Sequence, residues 1–204
     1  MIYALEAAKE QACYIRFFNG AKGAGTADIF VNGELIVEDL THGAFTNFRK
    51  AKPGVYNIEV RVVGEGTEMD YNELMSFEGD VAYTLALTGD ADHLGMAVIT
   101  FNMQQDVVLP NIRFANLILK ESVIDIEIDK QKAVTGLMFK EVSDNIKIEQ
   151  GKHTVTVFDA DGDKILEDGI DIAAKGNYLA IISGEIGGAQ NLPGLYVAEE
   201  SPVL

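Results

Sequence analysis

Apolar and polar residues alternate one for one along Tyr56-Asn57-Ile58-Glu59-Val60-Arg61-Val62 and along Ile124-Asp125-Ile126-Glu127-Ile128. A period of two marks strands with one face buried and one solvated. Such runs are short and are punctuated by turn residues. Asn32-Gly33 separates Asp28–Val31 from Glu34–Val37, and Asn-Gly is the strongest short hairpin signal because a type I′ turn needs positive φ at both central positions. Asp161-Gly162 stands between Val155–Ala160 and Asp163–Leu166 in the same way. It predicts a second two-residue hairpin, with Asp159 opposite Lys164 as a cross-strand pair of opposite charge.

The pattern occurs twice. Arg16-Phe17-Phe18-Asn19 lies over Arg113-Phe114-Ala115-Asn116 at an offset of 97, which also superposes Asp28 on Asp125, Thr46 on Ser143 and Gly54–Val60 on Gly151–Val157. Two residues are then lost, and at an offset of 95 Tyr83–Gly89 meets Tyr178–Gly184. A constant register broken by one small deletion is the mark of an internal duplication. About seven short strands in roughly 95 residues predict an immunoglobulin-like sandwich, with a small barrel as the alternative. The chain therefore reads as all-β: a lead-in over 1–12 (a short helix or an unstructured stretch), a first β-sandwich over 13–105 and a second over 106–204. The connection Gln104–Pro110 is short and apolar, so the two domains are expected to touch and to hold a fixed angle. Pro110 suits the first position of a strand.

Composition narrows the function classes. The sequence holds 32 acidic and 16 basic residues, divided as 15 and 7 in residues 1–105 and 17 and 9 in residues 106–204. Each half thus carries −8, a field that opposes nucleic acid and anionic membranes. The lone Cys13 excludes disulfides, cysteine-rich zinc sites and C-x-x-C redox chemistry; it reads as a small buried hydrophobe, with a reactive thiol as the alternative. No run approaches the ~20 apolar residues of a membrane-spanning helix. Residues 1–12 lack the basic start and apolar centre of an export signal. The expected locations are the cell surface if an export signal has been removed, and otherwise the cell interior or the spore.

Arg-Phe-x-Asn on the first strand, Asp28-Ile29 on the next, Pro53-Gly54-x-Tyr56 entering a long strand and Tyr83-Thr84-Leu85-x-Leu87-Thr88-Gly89 together resemble the bacterial domain-of-unknown-function 4397 family. The likeness covers nearly all of the first copy. It is weaker in the second, where Gln150 replaces the proline and Asp129-Lys130 replaces Asn-Gly. The resemblance implies tandem β-sandwich domains, often on secreted or surface proteins and in some cases on short proteins of spore formers. It implies no catalytic residue and no cofactor.

Candidate chemistry is sparse. Asp159, Asp161 and Asp163 offer three carboxylates at alternate positions, with Glu167 and Asp168 beyond, and could supply oxygens to Ca²⁺. The glycine falls fourth rather than sixth and the context is a strand, so this is not an EF-hand. Asp90, Asp92 and His93 form a second acidic loop, read as solvated. His153 replaces Tyr56 on a strand and is expected to be structural, and His42 precedes Gly43 in a turn. Neither stands beside a nucleophile. The glycine-rich Gly20–Gly25 lacks a Gly-Lys-Ser/Thr ending and reads as a loop. Arg16 and Arg113 sit on apolar strands and need acidic or carbonyl partners; the repeated Asp28 and Asp125 are expected to supply them as structural ties.

The expected function is a non-enzymatic structural or interaction module of a bacterial surface, envelope or spore assembly, with protein partners or self-association and no cofactor. A carbohydrate-binding or calcium-dependent ligand module is the alternative. With no Trp in the chain, any platform for sugar rings falls to Tyr and Phe.

Overall fold

The computed structural model describes residues 11–21, 23–64, 68–90, 94–103, 109–119, 123–173, 175–186 and 192–202. Most of the lead-in, Lys22, Asp92, His93 and most of the connection between the copies lie outside the described residues. The first copy contains β1 (Cys13–Asn19), β2 (Ala24–Val31), β3 (Glu34–Thr41), β4 (Arg49–Ala51), β5 (Gly54–Gly64), β6 (Glu68–Phe77), β7 (Val81–Gly89) and β8 (Leu94–Asn102). The second contains β9 (Asn111–Leu119), β10 (Val123–Ile128), β11 (Gln131–Met138), β12 (Ile146–Lys147), β13 (Gly151–Phe158), β14 (Lys164–Ile172), β15 (Asn177–Glu185) and β16 (Gly194–Glu199). No helix occurs among the described residues, and so none is long and apolar enough to cross a membrane.

Each copy is a sandwich of two four-stranded sheets. The orders are β3-β2-β5-β6 over β4-β1-β7-β8, and β11-β10-β13-β14 over β12-β9-β15-β16. Within each inner sheet the first strand runs parallel to the seventh, Ile15 opposite Tyr83 and Ile112 opposite Tyr178. The duplication is thus visible strand by strand. Its two-residue deletion falls in one hairpin: Gly54 pairs with Phe77 and Gly151 with Ile172, while β5 and β13 extend to different lengths.

The two inner sheets pack face to face, so the copies form one four-layered block. Alternation along each inner strand explains how. In β7, Tyr83, Leu85 and Leu87 point into the core of copy one, and Ala86 points the other way. In β15, Tyr178, Ala180 and Ile182 enter the core of copy two, while Leu179 and Ile181 face the seam. Sheets buried on both faces read as continuous apolar runs rather than alternating ones, which is how β7 and β15 appear in the sequence. The outer strand β5 keeps the half-buried pattern, while in β13 Thr156 is buried along with Val155 and Val157 on either side.

The seam is built from unequal pairs at equivalent positions. Phe18 corresponds to Ala115, Ala86 to Ile181, and Ala97, which pairs with Ala86, to Tyr196, which pairs with Ile181. A large residue in one copy is matched by a small one in the other, so two identical copies would leave voids at one place and clash at another. Gly20 belongs to this fit: a Cβ there would lie 2.8 Å from the Ser183 hydroxyl of the second copy, whose Oγ donates to the Gly20 carbonyl at 2.9 Å. Gly43 has φ of 78° and its missing Cβ leaves room for the Tyr196 ring.

The repeated motif now resolves into separate tasks. Phe17 and Phe114 fill the two cores, Phe18 and Ala115 face the seam, and Asn19 and Asn116 tie the two sheets of each sandwich together. The asparagine Nδ2 groups donate to the Leu40 and Leu137 carbonyls at 2.9 and 3.0 Å. Thr46 and Ser143 hydroxyls accept from the N–H groups of Phe17 and Phe114. The Tyr83 and Tyr178 hydroxyls accept from Glu78 and Ala173 N–H, five residues upstream in each copy, which resembles a tyrosine corner.

Asn32 (φ 52°) and Gly33 (φ 83°) form the expected two-residue turn. The acidic hairpin differs. Residues 159–163 form a longer loop, and Phe158, not Asp159, pairs with Lys164. The reason is local: the Asp159 Oδ1 accepts from the N–H groups of Asp161 (3.1 Å) and Asp163 (2.8 Å), which closes a wider turn than two residues allow. Gly25, read as loop, already belongs to β2.

Truncating a fully buried seam residue should weaken both copies together. Phe18→Ala is expected to cost about 3–5 kcal/mol and to lower one cooperative transition in calorimetry rather than split it into two.

Candidate functional site

Arg16 and Arg113 both leave their own sandwich cores and turn toward the seam. Arg16 donates from Nε to the Thr84 hydroxyl (2.8 Å) and from Nη1 to the Glu199 carbonyl of the second copy (2.6 Å). Arg113 donates from Nη2 to the Thr100 carbonyl of the first copy at 2.8 Å. Thr100 and Glu199 hold the same station, opposite Tyr83 and Tyr178. The two arginines therefore reach across the seam reciprocally, each to the equivalent carbonyl of the other copy.

The symmetry ends at Glu200. This residue is 2% exposed and takes two hydrogen bonds from Arg113, one from Nε at 3.0 Å and one from Nη2. Two parallel bonds of this kind are the strong geometry for a guanidinium and a carboxylate. The corresponding residue of copy one is Phe101, so Arg16 has no such partner. Instead its guanidinium carbon lies 4.7 Å from the Phe45 ring centre and 4.5 Å from that of Phe48, within cation–π range. Burial pushes Arg16 down to about 10, with Glu200 pulling it back up. Burial also raises the Glu200 carboxyl above its usual range, opposed by the Arg113 hydrogen bond and the charges of both arginines.

Arg16 borders a cleft of about 620 Å³ at the seam, lined also by Tyr14, Phe45, Phe48, Lys50 and Pro202. Its Nη2 is buried and has no hydrogen-bond partner among the described residues. Strand β1 places the arginine there because Ile15 and Phe17 on either side face the opposite way into the core.

The anticipated Arg16–Asp28 and Arg113–Asp125 ties are not formed. Arginine and aspartate lie in different sheets of each sandwich and face opposite ways. The Asp28 and Asp125 carboxylates instead accept from the N–H groups of Asp39 (2.9 Å) and Gly136 (2.8 Å). Both of those residues have positive φ, 53° and 70°, and sit where the strand register shifts. The repeated aspartate thus holds a β-bulge.

Asp159, Asp161 and Asp163 share the loop between β13 and β14. Among the described residues no three acidic, histidine or cysteine side chains gather closely enough to hold a metal ion. His153 takes over the task of Tyr56. The Tyr56 hydroxyl donates to the Lys52 carbonyl at 2.7 Å, and His153 Nε2 contacts the equivalent Glu149 carbonyl at 2.9 Å. Its Nδ1 lies 2.7 Å from Asp129, which raises the imidazole pKa. The Asp129 carboxyl is lowered, first by the Thr154 N–H and then by His153. His42 packs edge-on against Tyr196 at the seam, where burial lowers its pKa. Cys13 is fully buried, and its thiol faces the Ala51 and Lys52 carbonyls. Glu200, Thr84, Phe45 and Phe48 were not anticipated. Only the need of a buried arginine for partners hinted at them, and Glu200 has no counterpart in the first copy.

A pair of β-sandwiches fused through their inner sheets, with paired charges at the seam, defines a two-domain all-β protein. The family model described as domain of unknown function (DUF4397) matches residues 13–107 and again 110–202. The chain belongs to that family. No curated protein matches it.

Removing Glu200 would leave the Arg113 guanidinium without its carboxylate. Glu200→Ala should cost about 3–5 kcal/mol in denaturant unfolding, while an apolar replacement of the pair (Arg113→Met with Glu200→Leu) should recover most of that loss. The His153–Asp129 pair sets a pH window. The raised His153 pKa contributes stability that is full below its ordinary 6.5 and is lost as pH rises through the folded value. The lowered Asp129 pKa contributes stability present above its ordinary 3.8 and lost as pH falls through the folded value. In His153→Tyr, the alkaline decline should vanish from plots of melting temperature against pH.

Proposed function

We propose that the protein is a non-enzymatic interaction module of a bacterial surface, envelope or spore assembly. The observation that carries this reading is the burial of both inner sheets against each other. The seam joins the copies into one block, and recognition is left to the outer sheets and their edges. Family membership supports the reading only as far as the tandem β architecture; compartment and partner are part of the proposal.

Exposed apolar side chains on those outer sheets suit protein contacts. Val55 (64% exposed) and Leu74 (70%) lie on the β5–β6 hairpin, and Met138 (57%) ends β11. Large exposed apolar groups mark contact surfaces when they cluster. The edge strands β6 and β14 offer unpaired backbone groups to a further strand. A ligand-binding module is the second reading, favoured by the seam cleft beside Arg16.

Photo-crosslinking in the native cell from residues 55, 74 and 138 tests the first reading. Discrete protein adducts that disappear with Leu74→Glu are expected. No adduct from any of the three positions, together with turnover in ester, peptide or glycoside panels, would replace it with an enzyme.

A further inference from the structure

The buried charges at the seam do not balance. At this end of the seam Arg16 and Arg113 stand beside one buried carboxylate among the described residues, Glu200, and Arg113 holds both of its hydrogen bonds, while the buried Glu185 lies at the far end of β15. Arg16 is 4% exposed, yet its Nη2 has no acceptor among the described residues. A buried ionic donor left unpaired is costly, and such a group calls for a bound partner. Copy one has Phe101 where copy two has Glu200, so the chain supplies no second carboxylate at the equivalent position.

A cleft of about 620 Å³ adjoins this arginine, within the usual size of small-ligand sites. Its wall is of two kinds. Tyr14, Phe45, Phe48 and Pro202 are apolar or aromatic, and Lys50 adds a second cation. Glu199, exposed, also lines it. Among the described residues the charged groups of the wall are Arg16, Lys50 and Glu199, which leaves one net positive charge (two minus one), and the neighbouring Arg113–Glu200 pair cancels. That surplus matches a monoanion better than a phosphate dianion. An arginine is a donor-only fork that fits a carboxylate, and the rings fit an apolar body.

We infer that this cleft binds a carboxylate carried on an apolar group, with the acid against Arg16 and Lys50 and the apolar part against Phe45 and Phe48. The net charge of −16 does not forbid it, because surface charges more than about 8 Å away are largely screened at physiological salt. Phe45 and Phe48 border both the guanidinium and the cleft. The inference is independent of the outer-sheet contacts proposed above, and either can fail alone.

The carboxylate could belong to a small acid or to the C-terminus of a peptide. Titration of the full isotope-labelled chain with 3-phenylpropionate, followed by NMR, tests the shared chemistry; Gly-Gly-Phe with a free or amidated C-terminus separates the two sources. Saturable shifts are expected in the Arg16 Nε–H signal and in the amides of Asn47 and Phe48, with a Kd of about 1 mM or tighter. The neutral 3-phenylpropionamide should bind about tenfold more weakly, the value of one charge-assisted hydrogen bond. Lys50 and Glu199 are both exposed, so substitutions there spare the fold. Lys50→Gln should weaken binding several-fold and Glu199→Gln should tighten it. Binding by the peptide acid alone would identify a chain end as the source. Absence of saturable shifts with both acids, equal binding of the amides, or identical shifts with sodium chloride would overturn the inference.

Discussion

The face-to-face packing of the two inner sheets is the constraint on which the remaining structure depends. A strand covered on one side by its own sandwich and on the other by the second copy has no solvated face. Every residue of β15 is accordingly buried. Such a seam tolerates only complementary volumes, because protein interiors pack at crystal-like density. The pairs Phe18 with Ala115, Ala97 with Tyr196 and Ala86 with Ile181 answer that demand. The divergence between the copies at these positions is the record of this fit. A duplicated domain that must pack on its twin cannot remain identical to it at the contact.

Charge follows the same logic. Burying guanidinium groups between two sheets requires acceptors already in place, and the pseudo-symmetric Thr100 and Glu199 carbonyls provide one for each arginine. Backbone carbonyls are fixed by the sheet, so the pairing costs little side-chain entropy. Glu200 completes one side only. The other is finished by two phenylalanine rings and an open cleft, and there the block departs most from its internal symmetry.

Much of the fold was legible in the sequence, for identifiable reasons. The hairpin at Asn32-Gly33 could be read because backbone sterics allow few residues to take positive φ at two successive positions. The half-buried strand β5 could be read from its period of two. The same reasoning went too far at Asp161-Gly162. There the Asp159 carboxylate captures two backbone N–H groups and widens the turn, a competition between side chain and backbone that dipeptide identity does not reveal. The pairing of Arg16 with Asp28 also failed, because recurrence at a fixed offset shows that two residues matter in both copies, not that they touch.

Sequence alone therefore determined the all-β class, the two copies, their register and the loss of two residues in the second. These depend on local sterics and on burial patterns within single strands. Tertiary structure decided which faces meet and where the buried charges go. It turned Arg16 and Arg113 toward the seam, gave the aspartates to the β-bulges and brought Glu200 from the end of β16 to Arg113. Those contacts join residues far apart along the chain, and their energy depends on geometry that no local pattern encodes. The cleft beside Arg16 exists only because two sandwiches meet there.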